Sequence, residues 1–113
     1  MENKKNAMIS QPMNGKSDEE ILSVKNKAAK WLEDHGYRVL NTFFDFNHDA
    51  LKSVGYKNIS LCYLSRSLET MSKCDTVYFC KGWEYARGCC VEHEAAVKYR
   101  LELIYQKIEE MEN

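Results

Sequence analysis

Short apolar runs alternate along the chain with segments whose apolar residues have helical spacing, and this alternation predicts the fold. Short apolar runs, rich in β-branched and aromatic residues, are typical of buried strands. These runs span residues 7–10, 37–40, 76–80 and 101–105. The segments between them carry apolar residues at spacings of three and four, as in Ile21, Val24 and Ala28, which predicts amphipathic helices. Alternating strands and helices favour a parallel sheet with right-handed crossovers.

Capping and turn residues set the bounds of three predicted helices. Ser17 and Glu20 have capping-box spacing at the start of the first helix, and Gly36 supplies a left-handed stop. The second helix is predicted from Asn58 to Lys73 and the third from Gly88 to about Tyr99. We therefore expect an α/β, three-layer, flavodoxin- or Rossmann-like parallel sheet of four or five strands, in the order 2-1-3-4, with helices on both faces.

Two connections stand out in this predicted topology. The strand order reverses between the first and third strands, so the loops at 10–16 and 80–88 must meet at one crevice, where α/β proteins bind ligands. The connection at 41–57 is long and contains Phe43, Phe44 and Phe46, which predicts an ordered and functional loop. Residues 106–113 are predicted to be a charged helical tail or a frayed end.

Length and charge narrow the classes of function. A chain of 113 residues fits a single domain over residues 1–113. Its 16 basic and 17 acidic side chains give a net charge of −1, which favours a small polar ligand over a nucleic-acid polymer or a membrane surface. The charged start predicts neither a signal peptide nor a transmembrane span, and hence a cytoplasmic location.

The five cysteines predict buried thiols rather than a metal site or disulfides. We expect Cys62, Cys74 and Cys80 to be small core residues. Cys89 and Cys90 could join Cys80 and a nearby histidine in a zinc site, but adjacent helical residues point about 100° apart and the chain has no Cys-x-x-Cys pair. No metal and no cofactor are therefore predicted.

Donor-rich residues follow the first strand. We expect them to contact a ligand, with the start of the first helix completing an anion or phosphate cradle. These candidates are Ser10, Gln11, Met13, Asn14 and Gly15, with Lys16 and Ser17 beside them. An ordinary capped turn explains the same residues equally well.

Glu92 is the candidate catalytic residue. It is predicted one turn into the third helix, where the helix N-terminus would keep its carboxylate ionised, as a nucleophile requires. Ala96, one turn further on, would leave space for a ligand, whereas Glu94 lies about 200° away around the helix. The alternative is a solvated first-turn glutamate.

Trp83, Tyr85 and Arg87 lie in the loop that would roof this site. An aromatic ring can stack on a base, and a guanidinium can hold a phosphate with two hydrogen bonds. Trp83 could instead anchor a subunit contact, and Arg87 could pair with Glu84 at the surface.

Three motifs resemble the nucleoside 2-deoxyribosyltransferase-like superfamily, over nearly the whole chain. They are Ile9-Ser-Gln-Pro-Met-Asn-Gly15, Ser-Lys-Cys-Asp75, and Ala-Arg-Gly88-x-x-x-Glu92-x-x-x-Ala96. The signature Lys-Gly-Trp-x-x-Ala-Arg-Gly-Cys is closest to a branch of short members, often phage- or prophage-associated. The resemblance implies that Glu92 attacks C1′ of a 2-deoxyribosyl group. It also implies that Gly88 and the residues before it help the 10–16 loop to hold a 5′-phosphate.

The chain departs from that family at two helper positions. Ser67 matches an aspartate that assists the nucleophile in active relatives, and Ala86 or Arg87 replaces a base-binding aspartate. A hydroxyl is a poor general acid, so Ser67 is expected to donate a hydrogen bond to a ligand. These departures favour a hydrolase with Arg87 on the phosphate over a base-exchanging transferase.

Three hypotheses follow. The first is a nucleoside- or nucleotide-processing N-glycosidase, or a deoxyribosyltransferase-like enzyme, in which Glu92 is the nucleophile. The second is a non-catalytic nucleotide-binding module. The third is a partner-binding or assembly protein, suggested by the aromatic loops and the open sheet edges. The expected partners are a small nucleoside or nucleotide and further copies of the chain, in a homodimer or higher homo-oligomer.

Overall fold

The computed structural model describes residues 4–41 and 48–107. Within them the chain forms four strands, four helices and one 3₁₀ turn. Their order is β1 Lys5–Ser10, α1 Asp18–Asp34, β2 Tyr37–Val39, α2 His48–Ser53, α3 Ile59–Met71, β3 Thr76–Phe79, the 3₁₀ turn Trp83–Tyr85, α4 Arg87–Lys98 and β4 Glu102–Tyr105. No helix among these residues combines the length and the apolar character needed to cross a membrane.

The four strands form one parallel sheet in the predicted order, β2-β1-β3-β4. Ala7 of β1 pairs with Val39 on one side and with Thr76 on the other. The order reverses between β1 and β3, so the predicted topological switch point is confirmed.

Two apolar layers hold the helices on opposite faces of this sheet, because successive strand residues point to opposite sides. One layer packs α1 against the sheet and consists of Ala7, Ala28, Leu32, Tyr78 and Cys80. The other covers the opposite face and consists of Met8, Met71, Cys74, Val77, Phe79 and Ala96, of which Met71 belongs to α3 and Ala96 to α4. The predicted three-layer α/β fold is thus confirmed.

The local signals for α1 are confirmed as well. The Ser17 hydroxyl accepts a hydrogen bond from the Glu20 amide, and the Glu20 carboxylate accepts one from the Ser17 amide. Gly36 follows the helix with φ of +89°, in the left-handed region that favours glycine.

The long connection after β2 differs from the prediction, because its second part contains the short helix α2. Phe43, Phe44 and Phe46 lie outside the described residues. Gln106 and Lys107 are not helical, and the rest of the predicted tail lies outside the described residues. All five cysteines are free: Cys62, Cys74 and Cys80 are buried as predicted, Cys89 is also buried, and Cys90 is exposed.

The turn that ends α4 contains an arginine in the left-handed backbone conformation. Arg100 has φ of +61°, and the turn has the Schellman pattern: the Leu101 amide donates to the Ala96 carbonyl at 3.0 Å and the Arg100 amide donates to that of Val97 at 3.2 Å. A side chain in this conformation costs about 1 kcal/mol, which glycine avoids.

Arg100→Gly should therefore raise the free energy of unfolding by about 0.5–1 kcal/mol, measured by urea denaturation. Arg100→Ala is the matched control, since it removes the exposed guanidinium but keeps a Cβ. An equal gain in both variants would show that the side chain, and not the backbone angle, limits stability here.

Candidate active site

The two loops at the switch point lie against each other, as predicted. The Cys80 amide donates a hydrogen bond to the Ser10 carbonyl at 2.9 Å, where β1 and β3 end. Gly82 follows with φ of +90°, and a Cβ placed there would lie 3.5 Å from Cγ of Pro12. A glycine thus makes the sharp exit from β3 that lets the two loops pack together.

Glu92 projects from α4 into the protein beside this junction. The residue is buried, with only 7% of its surface exposed. Its Oε1 atom accepts a hydrogen bond from the Ser10 hydroxyl at 2.5 Å, and the buried Ser67 hydroxyl of α3 lies near enough to lower the pKa of the same carboxyl group. Three predicted site residues from three separate elements therefore lie together, and Ser10 contacts the carboxyl group itself.

The pKa of Glu92 shifts in the direction opposite to the prediction. Burial raises its pKa above the ordinary value of 4.5, and the hydroxyls of Ser10 and Ser67 only partly oppose this by lowering it. Glu92 is the sixth residue of α4, beyond the first turn within which a helix terminus acts strongly. The net shift is thus opposite to the one expected from the helix start, and the solvated first-turn alternative is wrong because Glu92 is buried.

Ala96 is buried in the core, whereas Glu94 is exposed. Ala96 is fully buried in the apolar layer between the sheet and the helices, so it fills the core there and does not leave room for a ligand. Glu94 is exposed and lies 3.7 Å from the Lys98 ammonium group, which confirms that it points away from Glu92.

The loop after β1 uses several of its expected donors inside the protein. Gln11 is buried, and its Nε2 atom donates to the Ile21 carbonyl at 3.0 Å. Ser17 caps α1, whose first turn carries three acidic residues. Such a helix start is a poor place for an anion. The start of α1 is therefore an ordinary capped turn, which was the alternative prediction, and not a phosphate cradle.

The tip of the same loop remains open. The Lys16 amide donates to the Met13 carbonyl at 3.1 Å, and Gly15 adopts φ of +79° within this turn. Met13, Asn14 and Gly15 are exposed, so they are the loop residues that a ligand can reach.

The start of α4 differs from that of α1. Its N-cap Ala86 makes no side-chain hydrogen bond to the helix, and the first turn contains no acidic residue. Arg87 and Gly88 are both exposed there, and within the described residues no ion pair joins Arg87 to Glu84. Compared with the donors at the capped start of α1, the Arg87 guanidinium and the first backbone amides of α4 are therefore more available to bind a ligand.

Trp83 has partners within the fold. Its indole stacks on the His93 ring with centroids 4.1 Å apart, and it lies 5.4 Å from Phe79 and 5.8 Å from Tyr105. His93 Nε2 and the Tyr105 hydroxyl are 2.6 Å apart, which ties α4 to the end of β4. We therefore assign Trp83 to holding the 3₁₀ turn against α4, while Tyr85, 92% exposed, extends into solvent.

One comparison with known proteins found a match. A family model described as a domain of unknown function, DUF4406, matches residues 5–105. The chain belongs to the DUF4406 family. The match includes Ser10, Ser67 and Glu92 together with the whole of the described sheet. Neither the curated proteins nor the solved structures yielded a match.

In this DUF4406 chain, sequence reasoning missed one member of the site. Cys89 is buried, and burial raises the pKa of its thiol to about 11, while the nearby Ser10 hydroxyl lowers this pKa and the Glu92 carboxylate raises it. The spacing of three residues between Cys89 and Glu92 could have predicted this, because it places both side chains on one face of the helix. Within residues 4–41 and 48–107, no cluster of three or more His, Cys, Asp or Glu side chains could hold a metal.

This DUF4406 chain also has an open groove of about 360 Å³ at the start of α3. Leu61, Cys62 and Ser65 of α3 line it together with the turn at residues 55–58. Ser65 and Ser67 are two positions apart and point about 200° away from each other around the helix. The groove therefore lies on a different side of α3 from the Ser67 contact with Glu92.

Proposed function

We propose that the protein is a nucleoside or nucleotide N-glycosidase in which Glu92 attacks C1′ of a 2-deoxyribosyl group. The observation that carries this proposal is the buried Glu92 carboxyl group, which accepts a hydrogen bond from Ser10. Ser10 lies at the carboxyl end of β1, beside the point where the strand order reverses. Burying a carboxyl group is unfavourable, and perturbed carboxyl groups at such positions are candidates for chemistry. The resemblance of the chain to the nucleoside 2-deoxyribosyltransferase-like superfamily supports the same role.

The reaction would proceed in two steps. The ionised Glu92 carboxylate forms a bond to C1′ while the N-glycosidic bond breaks, and its electron pair leaves with the base, which takes a proton from solvent. Water then attacks C1′ and breaks the bond to Glu92, which restores the carboxylate and releases a proton. Hydroxyl donors from Ser10 and Ser67 stabilise the carboxylate before the first step and after the second.

A 5′-monophosphate suits the open donors of this site. Arg87 is exposed at the uncapped start of α4, and Asn14 and Gly15 are exposed in the neighbouring loop. A guanidinium binds a phosphate with two hydrogen bonds, and a helix start without acidic residues adds a favourable field. We therefore propose a 2′-deoxynucleoside 5′-monophosphate as the substrate class, and hydrolysis in preference to transfer to a second base.

The test is release of free base. The purified protein is incubated with each of the four 2′-deoxynucleoside 5′-monophosphates and with the four deoxynucleosides, and free base is measured by chromatography. The proposal expects release that depends on Glu92 and is faster from monophosphates. No release from any of the eight compounds would count against it.

The raised pKa of Glu92 favours a second candidate, a non-catalytic nucleotide-binding module. A carboxyl group that keeps its proton to higher pH can donate a hydrogen bond to a sugar oxygen without attacking C1′. Calorimetry separates the two: nucleotide binding that is weakened in Glu92→Ala, with no base release from the wild type, would support the binding module.

We also propose that the protein forms a homodimer or a higher homo-oligomer in the cytoplasm. Val91, Val97 and Tyr99 are exposed along and just beyond α4, with 41%, 45% and 81% of their surface open to solvent. We propose that a second copy of the chain covers these side chains. Sedimentation equilibrium should give at least twice the monomer mass of 13.2 kDa, and a monomer throughout the concentration range would rule this out.

A further inference from the structure

Two side chains of α4 hold the 3₁₀ turn that precedes this helix. Cys90 and His93 lie three residues apart on one face of α4. The Cys90 thiol donates a hydrogen bond to the Glu84 carbonyl at 3.2 Å and lies 3.6 Å from the Trp83 carbonyl. The His93 ring stacks on the Trp83 indole, with 23° between the two ring planes. The turn is thus fixed to α4 both through its backbone and through its indole.

The His93 ring is itself held from the side of the sheet. Its Nε2 atom lies 2.6 Å from the Tyr105 hydroxyl at the end of β4. The fully buried Phe79 ring, at the end of β3, meets it edge-on with centroids 5.0 Å apart. A neutral imidazole has one N–H group and one acceptor nitrogen, so either tautomer of His93 can form a hydrogen bond with the hydroxyl. His93 therefore joins the sheet, the helix and the turn.

Backbone hydrogen bonds connect this turn to the start of α4. The Ala86 amide donates to the Trp83 carbonyl at 3.1 Å, and the Ala86 carbonyl accepts from the Cys90 amide at 2.9 Å. Ala86 directly precedes Arg87 and makes no side-chain hydrogen bond to the helix. Because α4 has no side-chain cap, the position of its first residues depends on the turn before it.

We propose that Trp83, His93 and Tyr105 are positioning residues, which hold Arg87 and Gly88 in place for the 5′-phosphate of the substrate. Donors that are fixed before binding need not be ordered by the ligand, which strengthens affinity. That a phosphate binds there rests on the proposed function. That the three rings fix the turn does not, because their contacts are complete without a ligand.

The first experiment measures amide hydrogen exchange by NMR in the full-length, ¹⁵N-labelled protein without substrate. The probes are the Tyr85 and Ala86 amides, whose hydrogen bonds form the turn. His93→Ala removes the stack on Trp83 and the contact with Tyr105, so both amides should exchange about two- to tenfold faster. His93→Phe keeps a ring against the indole and should restore most of the protection.

His35→Ala is the matched control, because it removes another tryptophan–histidine stack far along the chain. The Trp31 and His35 rings at the end of α1 stack with centroids 3.8 Å apart. This variant should leave exchange at the two probe amides unchanged. Unchanged exchange in His93→Ala would overturn the positioning role. So would equal acceleration at the probe amides and at the amide of the buried Val77 in β3, because the whole protein would then have been destabilised.

The second experiment separates the positioning of phosphate donors from a general loss of activity. In His93→Ala, the KM for a 2′-deoxynucleoside 5′-monophosphate should rise by about three- to tenfold with little change in kcat. The KM for the deoxynucleoside, which has no phosphate, should stay within about twofold of the wild-type value. An equal rise in KM for both compounds would overturn the proposal. If the wild type released no base, only the proposed function would fail, and the exchange rates would still decide whether the three rings position the start of α4.

Discussion

Glu92→Gln should lower the rate of base release from a 2′-deoxynucleoside 5′-monophosphate by at least about a thousandfold, because an amide cannot replace a carboxylate as the nucleophile at C1′. Glutamine has nearly the same shape, and its carbonyl oxygen can still accept the hydrogen bond from Ser10. The substitution therefore removes the nucleophile while preserving the fold. Chromatography gives the rate, and mass spectrometry of the quenched wild-type reaction should show a glycosyl group on the protein.

Glu94→Gln is the matched control for this prediction. It makes the same chemical change two residues further along α4, at an exposed side chain that lies 3.7 Å from Lys98. An exposed pair of this kind contributes little, so base release should stay within about twofold of the wild-type rate. Base release that persists in Glu92→Gln, or that falls equally in both variants, would contradict a nucleophilic role for Glu92.

Most of the fold could be predicted from the sequence because its determinants are local. The short apolar runs predicted the four strands, and the helical spacings predicted α1, α3 and α4. The capping box and Gly36 predicted the ends of α1. The alternation of strands and helices then led to the order of a flavodoxin-like sheet, which is the order observed. The helix α2 was missed because six residues are too few to establish a helical period.

The candidate site was predictable in position but not in electrostatics. Ser10 and Glu92 were expected at one crevice, since the strand ends on either side of the switch point must adjoin. The sequence does not show how deeply Glu92 is buried, and burial decides the direction of its pKa shift. Nor does it show that Trp83 stacks on His93, because that contact depends on how the 3₁₀ turn folds back on α4.

Burial of Glu92 also predicts a change in stability. At neutral pH, Glu92→Gln should raise the free energy of unfolding by about 0.5–2 kcal/mol, as is common where a site residue is replaced at a cost to function. An unfolded carboxyl group releases its proton near pH 4.5, whereas folded Glu92 keeps its proton to higher pH. Between these two pKa values the unfolded wild type binds fewer protons than the folded protein, so wild-type stability falls as the pH rises.

The advantage of Glu92→Gln should therefore be smallest below pH 4.5, where Glu92 is protonated in both states, and should grow with pH until folded Glu92 is ionised. Urea denaturation at a series of pH values measures the difference in free energy of unfolding between Glu92→Gln and the wild type. The other titratable groups are the same in both proteins, so their contributions cancel. Glu94→Gln should change stability by less than about 0.5 kcal/mol throughout. A Glu92→Gln advantage that is independent of pH would mean that folded Glu92 titrates like an unfolded carboxyl group. An advantage that instead shrank with rising pH would mean that the Ser10 and Ser67 hydroxyls outweigh burial.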